Sequence, residues 1–203
     1  QVKHRFWKID DQKTIESITS YFDAMPATYV ADGHHRTAAA ALVGNDLKNE
    51  NSHHTGDEEY NYFLAVHFPD NQLEIIDYNR VISDLNGLKE DEFLERLKKD
   101  FTIIEKGDQS YKPEKLHELS MYLEGKWYQL IARLSTYDDS HPIKTLDVNV
   151  LSESILSPIL DIHDLRTDKR IDFIGGIRGL EELKKRVDSG EMKVAFALYP
   201  VSM

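Results

Sequence analysis

Apolar residues recur along this chain with two periods, and the two alternate irregularly. Ile15, Ile18 and Phe22 lie three and four apart behind Asp10-Asp11, which predicts a capped amphipathic helix ending before Pro26. Tyr60, Tyr62, Leu64 and Val66 alternate with Asn61, Phe63, Ala65 and His67, and both sides are rather apolar. That pattern predicts a central strand over 60–68. The turn Pro69 to Gln72 leads to a second strand over 73–82, so the pair is expected to form a hairpin. A strand is expected over 2–9, a polar loop over 45–59, a helix over 92–100 and a brief strand over 101–104. Pro113 suits the first turn of a helix running to about Leu119. Gly125-Lys126 signals a hairpin between 121–124 and 127–134. Val148, Leu151, Ile155 and Ile159 predict a helix within 146–160. A strand over 170–174, a helix lined by Leu180, Leu183 and Val187, and a strand over 194–199 follow. The expected class is α+β, with a mixed sheet, antiparallel hairpins and flanking helices. One domain over 1–203 is expected, with 1–105 and 106–203 as candidate sub-lobes.

One stretch concentrates chemistry. Thr28, Tyr29 and Val30 are β-formers, Asp32-Gly33 supplies a turn, and the alanine-rich run from Thr37 to Leu42 favours helix. Between strand and helix stand Asp32, Gly33, His34, His35 and Arg36. The first amides of a helix lack intrahelical acceptors and sit at the positive end of its dipole, so they favour anions. Gly33 lets a ligand approach the backbone, and Arg36 can fork onto two phosphate oxygens. Gly33, Arg36 and Thr37 are therefore the candidate phosphate-binding residues. Asp32, His34 and His35 are the candidate catalytic residues, for accepting a hydroxyl proton or orienting an imidazole. The structural alternative has Asp32 capping the turn and Arg36 pairing with a distant carboxylate.

Composition narrows the chemistry. The chain has 203 residues, no cysteine and a formal net charge of -11. The missing cysteines exclude disulfides, thiolate metal sites and a cysteine nucleophile, and they fit a cytoplasmic setting. The acidic balance argues against general binding to nucleic-acid backbone, DNA included, which needs clustered cations. No apolar run approaches the roughly 20 residues of a membrane-spanning helix.

Other clusters carry less. Asp77, Asn79 and Arg80 end a predicted strand, where they are additional site candidates or a cap on the strand and its turn. Neighbouring side chains such as His53 and His54 face different ways in regular structure, so that pair reads as ordinary loop, and no metal site is expected. Gly175-Gly176 lacks the spacing of a nucleotide fingerprint and reads as the turn between strand and helix. His163-Asp164 could polarise an imidazole, but no serine elbow of the hydrolase type is present.

Tyr29-Val30-Ala31-Asp32-Gly33-His34-His35-Arg36 resembles the signature of the bacterial and archaeal family called domain of unknown function 1015. The resemblance continues through Tyr60-Asn61-Tyr62-Phe63, Asp77-Tyr78-Asn79-Arg80, Leu146-Asp147-Val148 and Ala195 to Val201. It implies that the chain is the C-terminal part of a longer protein. The Asp-Gly-His-His-Arg box also resembles the phosphate-binding element of the ParB/sulfiredoxin-like superfamily, here around residues 28–47, and is most similar to free-serine kinases. That likeness implies phosphoryl transfer or phosphate-ester chemistry on a small phosphorylated metabolite, serine- or phosphoserine-like, with Mg²⁺ and ATP or ADP as the implied cofactors. A nucleotide- or phosphometabolite-binding regulatory module without turnover is the alternative. Sulfiredoxin chemistry is excluded, since it needs a cysteine.

Overall fold

Short-range signals build most of the helices. Asp11 caps the first, α1 (Gln12–Asp23), by accepting the Thr14 N–H at 2.9 Å, as its place before the periodic run predicts. The second, α2 (His34–Glu50), begins directly after Gly33 and runs through the stretch expected to be loop, up to Glu50. Three more follow: α3 (Glu90–Leu97), α4 (Asp147–Leu151) and α5 (Gly179–Asp188). A π-helical turn, Ser152–Leu156, extends α4, so the expected single helix over 146–160 is two different windings in series.

The computed structural model describes residues 3–201. It comprises two compact units, Gln1–His67 and Phe68–Met203. The boundary between them falls between His67 and Phe68, and residue 105 lies within a strand of the second unit, Phe101–Gly107.

Among its described residues the second unit is built on six strands: β1 (Tyr78–Ile82), β2 (Phe101–Gly107), β3 (Glu118–Leu123), β4 (Lys126–Ala132), β5 (Ile171–Gly175) and β6 (Val194–Leu198). They lie in the order β2-β4-β3-β6-β1-β5. Every pairing is antiparallel, so the sheet is not the mixed one expected. Side chains alternate between its faces. On one face Ile82, Met121 and Phe196 join Phe93 and Leu97 of α3 and Val150 and Leu151 of α4. On the other, Val81, Tyr122, Trp127, Ala195 and Ala197 pack with Leu183 of α5. The β3–β4 hairpin forms where its turn signal lies, with Glu124 and Gly125 at φ 47° and 80° closing Leu123 onto Lys126.

The expected 60–68/73–82 hairpin does not form. Residues 62–67 and 73–77 carry no strand, and only Tyr78–Ile82 is β, paired with β5 and β6. A strand exists only with a partner, and β1 finds its partners about a hundred residues away. Residues 28–31 likewise carry no strand, and neither do 3–9; Val2 lies outside the described residues. No helix follows Pro113: Glu118–Leu123 is β3, buried throughout. The first unit holds α1, α2 and the short 3₁₀ turn Glu59–Asn61, and none of its described residues is buried. Within it α2 meets that turn closely, a Cβ on Gly44 falling 2.8 Å from the Tyr60 carbonyl oxygen.

Candidate functional site

The box at the start of α2 is assembled by backbone geometry. Gly33 stands at φ 84°, ψ 27°, in the left-handed region that side chains disfavour, and turns the chain into the helix. Its carbonyl accepts the Thr37 N–H at 2.9 Å, the first helical bond. The amides of His34, His35 and Arg36 have no intrahelical acceptor, and among the described residues no side chain caps the helix. The Arg36 guanidinium folds back over the turn. A Cβ at Gly33 would lie 3.3 Å from Arg36 Nη2, and the same nitrogen is 3.6 Å from Asp32 Oδ2. Asp32, Gly33, His34, His35 and Arg36 line one shallow concavity. Both members of the Asp32–Arg36 pair are almost fully exposed, at 95% and 84% of the side chain, so water screens their attraction. Thr37 is half-buried on the next turn.

Asp77, Asn79 and Arg80 are brought to the start of β1, but strand alternation divides them. Asp77 and Asn79 are buried together: Asn79 Nδ2 donates to Asp77 Oδ2 at 2.6 Å, and Asn79 Oδ1 accepts the Leu198 N–H at 3.1 Å. Asp77 Oδ1 also faces Lys112 Nζ at 3.7 Å. Gly176 supports this arrangement, since a Cβ there would lie 2.3 Å from Asp77 Oδ1. The Gly175-Gly176 pair therefore does serve the strand end, and its second glycine leaves room for a carboxylate. Arg80 projects from the opposite side of the strand, towards Tyr78 and Phe173.

His53 and His54 behave as loop residues. His54 Nδ1 meets the Tyr60 hydroxyl at 2.8 Å and Glu58 Oε2 at 3.0 Å. The Thr55 and Gly56 amides donate to Glu58 and help hold its carboxyl down at about 2. Among the described residues no group of three or more His, Asp or Glu side chains could hold a metal ion.

One further cluster has no counterpart in the sequence analysis, and a second has a different carboxylate from the one expected there. His117, at φ 67°, stacks on Tyr137 with centroids 3.5 Å apart and meets Asp139 Oδ1 through Nε2 at 2.9 Å. Its backbone N–H donates to the buried Asp147 at 2.8 Å, and burial pushes the Asp147 carboxyl up to about 6. His163 uses Nε2 towards Asp161 at 2.8 Å and Nδ1 towards the Ser157 hydroxyl at 2.9 Å, so its carboxylate partner is Asp161 and not Asp164. The first cluster joins residues 22 and 30 positions apart, which no local spacing signals. The second, two and six positions apart, is visible as a Ser-Pro and Asp-x-His spacing once the chain is known to turn there.

The family model described as Protein of unknown function (DUF1015) matches residues 1–149. No curated protein and no solved structure matches the chain. The chain belongs to the DUF1015 family.

Proposed function

We propose that this DUF1015 chain handles the phosphate of a small metabolite or nucleotide at the N-terminus of α2, in phosphoryl transfer or phosphate-ester hydrolysis. One observation carries the reading: Arg36 lies over the left-handed Gly33 at a helix end that no side chain among the described residues caps. Three free amides, a dipole end and a guanidinium then converge on one point. An oxyanion there would compete with Asp32 for Arg36, and the exposed pair is weak enough to yield. Released from Arg36, Asp32 would be free to take a hydroxyl proton from the attacking nucleophile, with His34 or His35 beside it to carry a proton to the leaving oxygen. Neutralising charge on the equatorial oxygens is the main demand of such chemistry. An Mg²⁺ would arrive on the phosphates of ATP or ADP, since it needs few protein ligands and keeps much of its water. A serine- or phosphoserine-like substrate is proposed on the resemblance of the box alone, and a cytoplasmic setting on the lack of cysteine.

A second reading, a phosphometabolite-binding module without turnover, is favoured by the same exposure: none of the described residues of the first unit encloses the box against water. Calorimetric titration of ADP and of phosphoserine, each with and without Mg²⁺, tests the site. Arg36→Ala is expected to weaken binding about ten- to a hundredfold, the loss of one charge-assisted contact. Unchanged affinity together with a lowered melting temperature makes the box structural and overturns both readings. Release of product from ATP, ADP or phosphoserine separates the enzyme from the module.

A further inference from the structure

Arg80 sits in the middle of β1, opposite Phe173 of β5 and Phe196 of β6, and is only 7% exposed. A guanidinium so deep normally meets a carboxylate. Among the described residues Arg80 meets none; its one hydrogen bond is from Nη1 to the Tyr78 carbonyl. Asp77, three positions before it, and Asp172, opposite Val81 on β5, lie on the other face and are engaged there, Asp77 with Asn79 and Lys112, Asp172 with Arg186; Asp84, four positions after it, meets Arg170. Tyr78 and Phe173 stack with centroids 5.3 Å apart, and the guanidinium carbon lies 5.7 and 5.4 Å from the two centroids. These ring faces offset part of the desolvation but accept no N–H in a fork. Burial pushes the Arg80 pKa down to about 10, which leaves it charged at neutral pH.

The remaining donors decide what this charge is for. With Nη1 tied to Tyr78, the Nε and Nη2 atoms form the edge that fits two oxygens side by side. Neither has a protein acceptor among the described residues, and neither is sealed from the surface. The half-exposed Tyr78 ring forms the rim beside them. We propose that Arg80 is an oxyanion-binding residue, taking two oxygens of a phosphate or carboxylate on its Nε–Nη2 edge beside the Tyr78–Phe173 pair. This site belongs to the second unit and is independent of the box at Arg36.

The test uses the chain carrying Arg36→Ala, so that the box is silent. Inorganic phosphate and acetate are titrated separately into labelled protein, and the Arg80 Nε–H resonance is followed, identified as the one lost in Arg80→Lys. A saturable shift with either anion is expected. A shift with phosphate alone assigns a phosphate ligand, and one with both assigns a general oxyanion site. Adding Arg80→Met, which keeps the length of the side chain and removes the fork, is expected to cost about tenfold or more in affinity for the effective anion. The same change is expected to raise the melting temperature of the unliganded chain, because an unpaired buried charge is lost. A resonance that neither anion moves overturns the proposal even if Arg80→Met fails to fold.

Discussion

Gly176→Ala tests whether the strand-end network around Asp77 is as tight as the geometry implies. An alanine Cβ would fall 2.3 Å from Asp77 Oδ1, 2.6 Å from its Cγ and 2.8 Å from its carbonyl oxygen. The carboxylate can swing aside only by giving up its 2.6 Å bond from the buried Asn79 amide. The carbonyl cannot move freely, since it accepts the Gly176 N–H at 2.7 Å where β1 and β5 pair. Overpacking costs about 1–3 kcal/mol, and stranding a buried polar group about 1–3 kcal/mol more. A loss of about 3 kcal/mol is expected, or roughly 6–12 °C in melting temperature for a chain of this length. The neighbouring glycine is the control. Gly175 has φ -62°, ψ 138°, and a Cβ there meets nothing within 4 Å. Gly175→Ala should be neutral or up to about 1 kcal/mol stabilising, through the unfolded chain. Urea unfolding with unchanged m-values measures both. Adding Asp77→Ala to Gly176→Ala removes the side-chain clash but not the carbonyl one, so recovery should be partial. Equal stability of the two single alanine variants refutes the reasoning.

Burial holds the Asp147 carboxyl near 6 in the fold, above its ordinary value, so its contribution to stability is complete at low pH and is lost as pH rises through about 6. Asp147→Asn keeps an acceptor for the His117 N–H and should stabilise by about 2–3 kcal/mol near pH 8, with the gain vanishing near pH 4; a pH-independent difference in urea unfolding contradicts this. Leu183 is the one buried residue among those described on α5, so Leu183→Ala should cost about 2–5 kcal/mol by calorimetry, while a loss below about 1 kcal/mol means that other contacts hold α5 to the sheet.

The candidate site was legible in part because the box is contiguous. Asp32 to Arg36 lie within one turn, and a glycine before an alanine-rich run locates a helix start without any knowledge of the rest. What the sequence does not show is that Arg36 folds back towards Asp32 and Gly33, which depends on the φ of one residue. Asp77, Asn79 and Arg80 are legible as a polar cluster, yet period-two alternation sends Arg80 away from the other two. The pairing of His117 with Asp147, and the burial that raises the latter's pKa, arise only when β3 and α4 meet.

The sequence by itself determined the elements whose hydrogen bonds close within a few residues. The Asp11 cap, the start of α2 at Gly33, the amphipathic face of α5 and the β3–β4 turn all follow from neighbours in the chain. Tertiary structure decided which apolar runs became strands. Tyr60 to Val66 alternates well yet carries no strand, while Tyr78–Ile82 carries one because β5 and β6 return to either side of it. A helix satisfies its own backbone; a strand leaves its donors and acceptors to a partner that the chain must bring back from a distance. The stabilisation then depends on the whole sheet's burial outweighing the entropy of closing those long loops, which no local window contains.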